Sequence, residues 1–187
     1  MFPARTPQTE TVGVSQTFFR IVRKKYAATA LSFRRSKSRF CTSFARYKVI
    51  YAADDPATAV FETIVRNTYV GASTPPAVSR IAPLYDIYEF SLSRSVDLID
   101  LTEERCAAQG LHSDVVYGDH YRLSQPAASD IYAHASGFDG IVWKSRFTQR
   151  KAYVLFDRPS LTVSFSASHD LSRDAGFKGF IGAGLIT

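Results

Sequence analysis

Five polar residues are of types that bind anions or handle charge, and each falls at the edge of an element: Arg20, Arg39, Tyr51, Glu62 and Ser145. Arg20 lies inside the β-prone run Thr17-Phe-Phe-Arg-Ile-Val22, where an arginine is either an edge-strand charge or a phosphate ligand at the sheet end. Arg39 closes the basic run Arg34-Arg35-Ser-Lys37-Ser-Arg39, which on its own reads as a solvated loop. Tyr51 ends a short run, Val49-Ile50-Tyr51, and taken alone is a half-buried sheet residue. Glu62 falls near the edge of a helical stripe, where its carboxylate either looks into a cleft or pairs with Arg66 one turn on; this stretch alone favours the pair. Ser145, taken alone, is a strand-end cap.

Other chemistries lack their residues. His112, His120, His134 and His169 show no short metal-ligand spacing, so no metal site is expected. Glycine-rich dinucleotide and phosphate-loop fingerprints are missing, and so is a Gly-x-Ser-x-Gly elbow.

The elements that must position the five residues centre on one junction. After the Val49–Tyr51 strand, Asp54-Asp55-Pro56 supplies an N-cap acid and a proline suited to the first helical turn. A helix is predicted over 56–66, with Ala57, Val60, Phe61, Ile64 and Val65 as its core-facing stripe. Residues 1–15, rich in Thr and Pro, are expected to be a flexible lead-in. Downstream, 84–92 and 96–101 suit a hairpin or two sheet strands, 103–111 a short helix, and 126–135 a helix followed by Gly137. Strands are predicted at 140–144 and 152–156, with a last, alternating strand from Leu161. In the tail from Gly176, Phe177, Phe180 and Ile181 either dock on the core or a partner, or stay loose.

These elements predict an α+β fold: a single mixed or antiparallel β-sheet core with flanking short helices. At 187 residues, 45% of them hydrophobic, the chain suits one core. Its expected division is a lead-in over 1–15, a catalytic domain over 16–160, and a C-terminal strand and tail over 161–187.

The 23 Lys+Arg against 17 Asp+Glu give a net charge of +6, with many of the cations between Arg20 and Lys48. A local basic field of that kind fits a phosphate-bearing ligand or a nucleic acid. The second reading would use the 34–48 patch with Phe33, Phe40 and Phe44 as stacking platforms, but it gives Glu62 and Ser145 no place, so direct nucleic-acid binding is not expected. Cys41 and Cys106, far apart in sequence, read as free thiols of a reducing cytosol. The sequence has no signal-peptide pattern and no apolar run long enough for a membrane span, so a soluble cytoplasmic protein is expected.

Taken together, Phe19-Arg20-Ile21, Arg39-Phe40, Val49-Ile-Tyr51-Ala-Ala-Asp-Asp-Pro-Ala-Thr-Ala59, Glu62, Gly137-Phe-Asp-Gly-Ile141 and Ser145-Arg146 resemble the RES domain over about residues 17 to 158. That family is named for an arginine, a glutamate and a serine, here Arg39, Glu62 and Ser145. The resemblance implies a fold like the ADP-ribosyltransferases related to diphtheria toxin, and a bacterial toxin that consumes NAD+ as substrate, with no separate cofactor. It also implies a partner antitoxin with a helix-turn-helix domain. The activity implied is cleavage of the nicotinamide–ribose bond with water or phosphate as acceptor; ADP-ribosyl transfer to a protein or small molecule is the alternative.

The residues suit that chemistry. Glycosidic C–N cleavage passes through an oxocarbenium-like state, which Glu62 would stabilise. Arg39 and Arg20 would grip the pyrophosphate, Tyr51 would stack on nicotinamide, and Ser145 would bind the ribose or the leaving amide. The pattern departs from the family at Ser38, where glycine is usual, and at Cys41-Thr42, which replace an expected asparagine contact. Beyond Arg158 the resemblance offers no counterpart.

Overall fold

The computed structural model describes residues 7–69, 73 and 77–182. The strands are β1 (Thr9–Val12), β2 (Phe18–Arg23), β3 (Val49–Ala53), β4 (Tyr85–Leu92), β5 (Val96–Asp100), β6 (Gly140–Lys144), β7 (Lys151–Phe156) and β8 (Val163–Asp170). They form one eight-stranded sheet in the order β1-β5-β6-β7-β3-β2-β4-β8. Only β5 and β6 run parallel among these neighbours. Their crossover carries the helices Glu103–Ala108, Asp114–Tyr117 and Ser124–Ala133, the kind of long connection a parallel pair requires. The expected α+β fold, a single mixed sheet with flanking short helices, is what forms.

Alternation along β3 divides the core between the two faces of the sheet. Val49 packs with Ile99, Ile131, Phe138, Val154 and Phe156 under the crossover helices. Ile50 and Ala52 join Phe18, Phe90, Leu98 and Leu155 on the opposite face. The Arg94 guanidinium grips the buried Asp139 carboxylate at 2.9 and 2.6 Å, and Asp97 N–H donates to the same carboxylate, fixing the entry to β6.

Helix α1 (Pro56–Val60) starts as its sequence dictates. Asp55, in extended conformation, accepts from Thr58 N–H at 2.9 Å and from the Thr58 hydroxyl at 2.6 Å, and Pro56 follows at the first turn. Its continuation differs from the predicted α-helix over 56–66: Phe61–Tyr69 are π-helical. The π pattern is rare and shows mostly as short bulges within α-helices, and the hydrophobic spacing carried no sign of it. Of the expected stripe, Val60, Ile64 and Val65 are buried against Ile21, Ile87, Leu171 and Phe177 and Phe61 packs partly there, while Ala57 is only half-buried.

Two further expectations need correction, and one alternative left open is decided. The lead-in over 1–15 contains β1, which pairs with β5, while Glu10 takes the Lys151 ammonium at 2.7 Å; a four-residue edge strand is too short to show a period. Residues 84–92 and 96–101 form the two sheet strands rather than the hairpin, because β4 lies between β2 and β8 and β5 between β1 and β6. The segment from 161 is not set apart from the domain either, since β8 pairs with β4 along its length. Phe177 docks on the core, only 2% exposed; the side chains of Phe180 and Ile181, and residues 183–187, lie outside the described residues.

Candidate functional site

Strands β2 and β3 share a single residue pair, Phe19 opposite Ala53, whereas β3 pairs with β7 along all five of its residues. Across the gap, Arg20 Nη1 donates to the Tyr51 carbonyl at 3.1 Å, a side chain doing the work of a backbone ladder. A cavity of about 290 Å³ opens at this split, near the lower bound of small-molecule sites, roughly 300 Å³. Strand β2 contributes Phe19, Arg20 and Ile21, and β3 contributes Tyr51 and Ala52. The helical segment adds Glu62, Thr63, Arg66 and Asn67, the basic loop adds Lys37, Ser38 and Arg39, and Tyr121 and Trp143 close the far wall.

The four cations in this lining, Arg20, Lys37, Arg39 and Arg66, face one carboxylate, Glu62. Arg20 Nε is buried without a hydrogen-bond partner, and burial, with Arg34 nearby, pushes the guanidinium down to about 10. It stays charged at neutral pH, with a donor left over for an anionic ligand. Arg39 is only 7% exposed. Its Nη1 donates to the Gly118 carbonyl at 2.8 Å, and the guanidinium lies 5.6 Å from the centre of the Tyr121 ring. Burial, then repulsion from Arg66, pushes it down to about 10 as well, while Tyr121 and Glu62 pull the other way.

Arg39 projects from a tight turn in which Ser38 N–H donates to the Cys41 carbonyl at 3.0 Å. Three side chains clamp that turn. The Tyr51 hydroxyl accepts from Phe40 N–H at 2.9 Å and donates to Ser38 Oγ at 3.0 Å. Tyr47 donates to the Phe40 carbonyl at 2.9 Å, and Gln125 Nε2 donates to the carbonyls of Ser38 and Cys41 at 2.8 and 3.1 Å. Phe40 itself is fully buried against Trp143, with ring centres 5.2 Å apart.

Both readings of Glu62 hold at once. Arg66 Nη1 lies 3.3 Å from Glu62 Oε2, with side-chain exposures of 23% and 17%, and both residues line the cavity. A second cavity, of about 10 Å³, lies between Arg39, Glu62, Arg66, Val116, Tyr117, Trp143, Arg146 and Phe147.

The split thus brings together Arg20, Arg39, Tyr51 and Glu62. Ser145 is elsewhere: it is 1% exposed and lines neither cavity. Its Oγ accepts from Phe147 N–H at 3.3 Å and its N–H donates to the Arg150 carbonyl at 2.8 Å, shaping the turn between β6 and β7. That turn sets Phe147 against Phe61 and brings the Thr148 hydroxyl 2.7 Å from that of Thr58, so Ser145 supports the helix that carries Glu62. Tyr51 lies in mid-strand rather than at the strand end, and burial pushes its committed hydroxyl well above the usual tyrosine range. Arg66 appeared in the sequence only as the partner of Glu62. Tyr121 and Trp143 gave no local signal, because they come from the crossover and from β6. Of the three phenylalanines considered for stacking, Phe40 is buried and Phe33 packs partly against the core, while Phe44 is 95% exposed.

Fold and site together define a single-sheet α+β protein whose split sheet holds a cationic cleft around one carboxylate. The family model of the RES domain matches residues 17–174 of this chain, which belongs to that family. No curated protein matches it. The family match passes Arg158 and takes in β8, so the segment expected to lack a counterpart is part of the domain. Among the described residues, no helix is long and apolar enough to cross a membrane.

Proposed function

We propose that this protein is a toxin-like enzyme that cleaves the nicotinamide–ribose bond of NAD+, with water or phosphate as acceptor. The observation that carries this reading is the single carboxylate, Glu62, facing Arg20, Arg39 and Arg66 in one cavity at the sheet split. A pyrophosphate matches guanidinium groups whose burial is otherwise costly. As the C–N bond breaks, its electron pair neutralises the pyridinium ring and positive charge develops at the ribose C1″. Glu62 is the group that stabilises this charge, and it gains most in a cleft that excludes water. Tyr51 and Tyr121 offer flat faces to the planar leaving group.

Purified protein is expected to release nicotinamide from NAD+, and Glu62→Gln to lower the rate roughly a hundredfold or more, as removal of a transition-state charge partner does. A wild type freed of bound inhibitor that leaves NAD+ intact over hours would sink the reading. The same cleft could pass ADP-ribose to a protein or small molecule, and mass spectrometry of the products separates these outcomes. The reading places the protein in the bacterial cytoplasm, restrained by an antitoxin with a helix-turn-helix domain that occludes the cleft. Expression alone should then stop growth and co-expression restore it; harmless expression of active enzyme would rule the restraint out.

A further inference from the structure

The NAD+ reading leaves the acceptor open, and the second cavity bears on it. It shares Arg39, Glu62, Arg66 and Trp143 with the large cleft, so both cavities border the same carboxylate. Its volume is about 10 Å³. That is the space one water molecule needs, roughly 10–15 Å³, and a water also needs about two to four polar partners. Glu62, Arg39 and Arg66 supply them. Val116 and Trp143, both buried, and Phe147 form the apolar part of the wall.

We infer that this cavity is the acceptor subsite and that its occupant is a single water molecule, which makes the protein a hydrolase of NAD+ rather than a phosphorylase or a transferase. The inference rests on the NAD+ reading and deepens it. A phosphate, with five heavy atoms, is larger than a space of about 10 Å³. Arg66 pairs with Oε2 of Glu62, which leaves Oε1 to accept a proton. In the step, the C1″–N bond breaks and its electrons stay on nicotinamide. The water oxygen forms the new C1″–O bond, and the water proton passes to Glu62 and then to solvent. The products are nicotinamide, ADP-ribose and one proton.

The test is a product analysis of the full-length protein with NAD+ in the presence of inorganic phosphate, and separately of methanol, a slightly larger acceptor. Expected are ADP-ribose as the sole ADP-ribosyl product, a nicotinamide-release rate that phosphate does not change, and no methyl-ADP-ribose. Val116→Ala, with Phe147→Ala as a second variant should the first not fold, enlarges the cavity. Either should raise methyl-ADP-ribose by roughly tenfold or more, the discrimination that one methylene commands in an apolar pocket. Phosphate-dependent turnover giving ADP-ribose 1″-phosphate, or ADP-ribosylated protein, would overturn the water subsite while leaving NAD+ cleavage standing. Equal methanolysis by wild type and enlarged variants would overturn it too. Complete failure to release nicotinamide would overturn the NAD+ reading first and this inference with it.

Discussion

The Tyr51 ring faces the cavity while its hydroxyl holds Phe40 N–H and Ser38 Oγ, so one side chain both lines the cleft and fixes the turn that carries Arg39. Tyr51→Phe keeps the ring and strands a buried N–H, a loss of about 1–3 kcal/mol. Denaturant unfolding should register that loss, and nicotinamide release should show a raised KM because Arg39 is no longer held. A Tyr51→Phe variant with wild-type stability and KM would refute the clamp. Arg20 and Arg39 support a second prediction. Both guanidinium groups sit at about 10, below the ordinary 12.5, chiefly through burial. Because the folded values are depressed, the folded chain holds these protons less tightly than the unfolded one. Their burial cost is therefore complete below pH 10 and is relieved between about 10 and 12.5. A bound pyrophosphate offsets the same cost at neutral pH. ADP-ribose should thus raise the melting temperature, by an amount equivalent to about 2.7 kcal/mol at a hundred times its Kd, and Arg20→Ala should remove most of the shift. Absence of any shift in the wild type would count against a pyrophosphate site.

The helical segment from Pro56 to Tyr69 shows where sequence reasoning reached and where it stopped. Asp55, Pro56 and the 60/64/65 stripe were legible because caps and periodicity are local properties. The change to π-helix at Phe61 was not, since the apolar spacing fits an α-helix equally well. Likewise, Arg39, Tyr51 and Glu62 stood out through the resemblance to the RES domain, whereas Tyr121 and Trp143 reach the cleft only through the crossover and β6. Ser145 had the right neighbourhood but not the cavity: its hydroxyl caps the turn that braces the helix. The cap makes the element testable. Burial opposes the ionised form of Asp55, but the two hydrogen bonds from Thr58, helped by Asp54 and Arg150, hold its carboxyl below the ordinary 3.8. Asp55→Ala should cost about 1 kcal/mol and lower activity through Glu62, while Asp55→Asn, also a good cap, should cost less. By sign, a carboxyl whose folded pKa is depressed contributes fully above pH 3.8 and loses that contribution as pH falls through the folded value. The stability gap between wild type and Asp55→Ala should therefore close below about pH 3.8. A gap that persists unchanged in acid would show that the charge of Asp55 does not carry the cap.

At the scale of the molecule, the sheet reads as one unit from β1 to β8; the alternation from Leu161 announced β8 as a strand, whereas β1 fell within the expected lead-in. The four residues of β1 are too few to show a period, and the places of both edge strands are set by pairing with β5 and β4, distant in the chain. The last helical segment has the same logic. Asp174 accepts from Phe177 N–H at 2.7 Å and holds His169 Nε2 at 2.9 Å, tying the helix start to β8. Phe177 then inserts among Val60, Ile64 and Leu171, beneath the helix that presents Glu62 and Arg66 to the cleft. The C-terminal segment is therefore a structural support of the site, and its removal should be felt there. Phe177→Ala should destabilise the fold by about 3–5 kcal/mol, the cost of emptying a buried aromatic site. Phe177→Leu, which keeps most of the volume, should recover much of it. Activity should follow the same order, because the π-helical turns rest on this contact. If Phe177→Ala melts like the wild type while chain ends beyond Asp174 are intact, the docked helix carries no weight, and the cleft must be held by the sheet and the Asp55 cap alone.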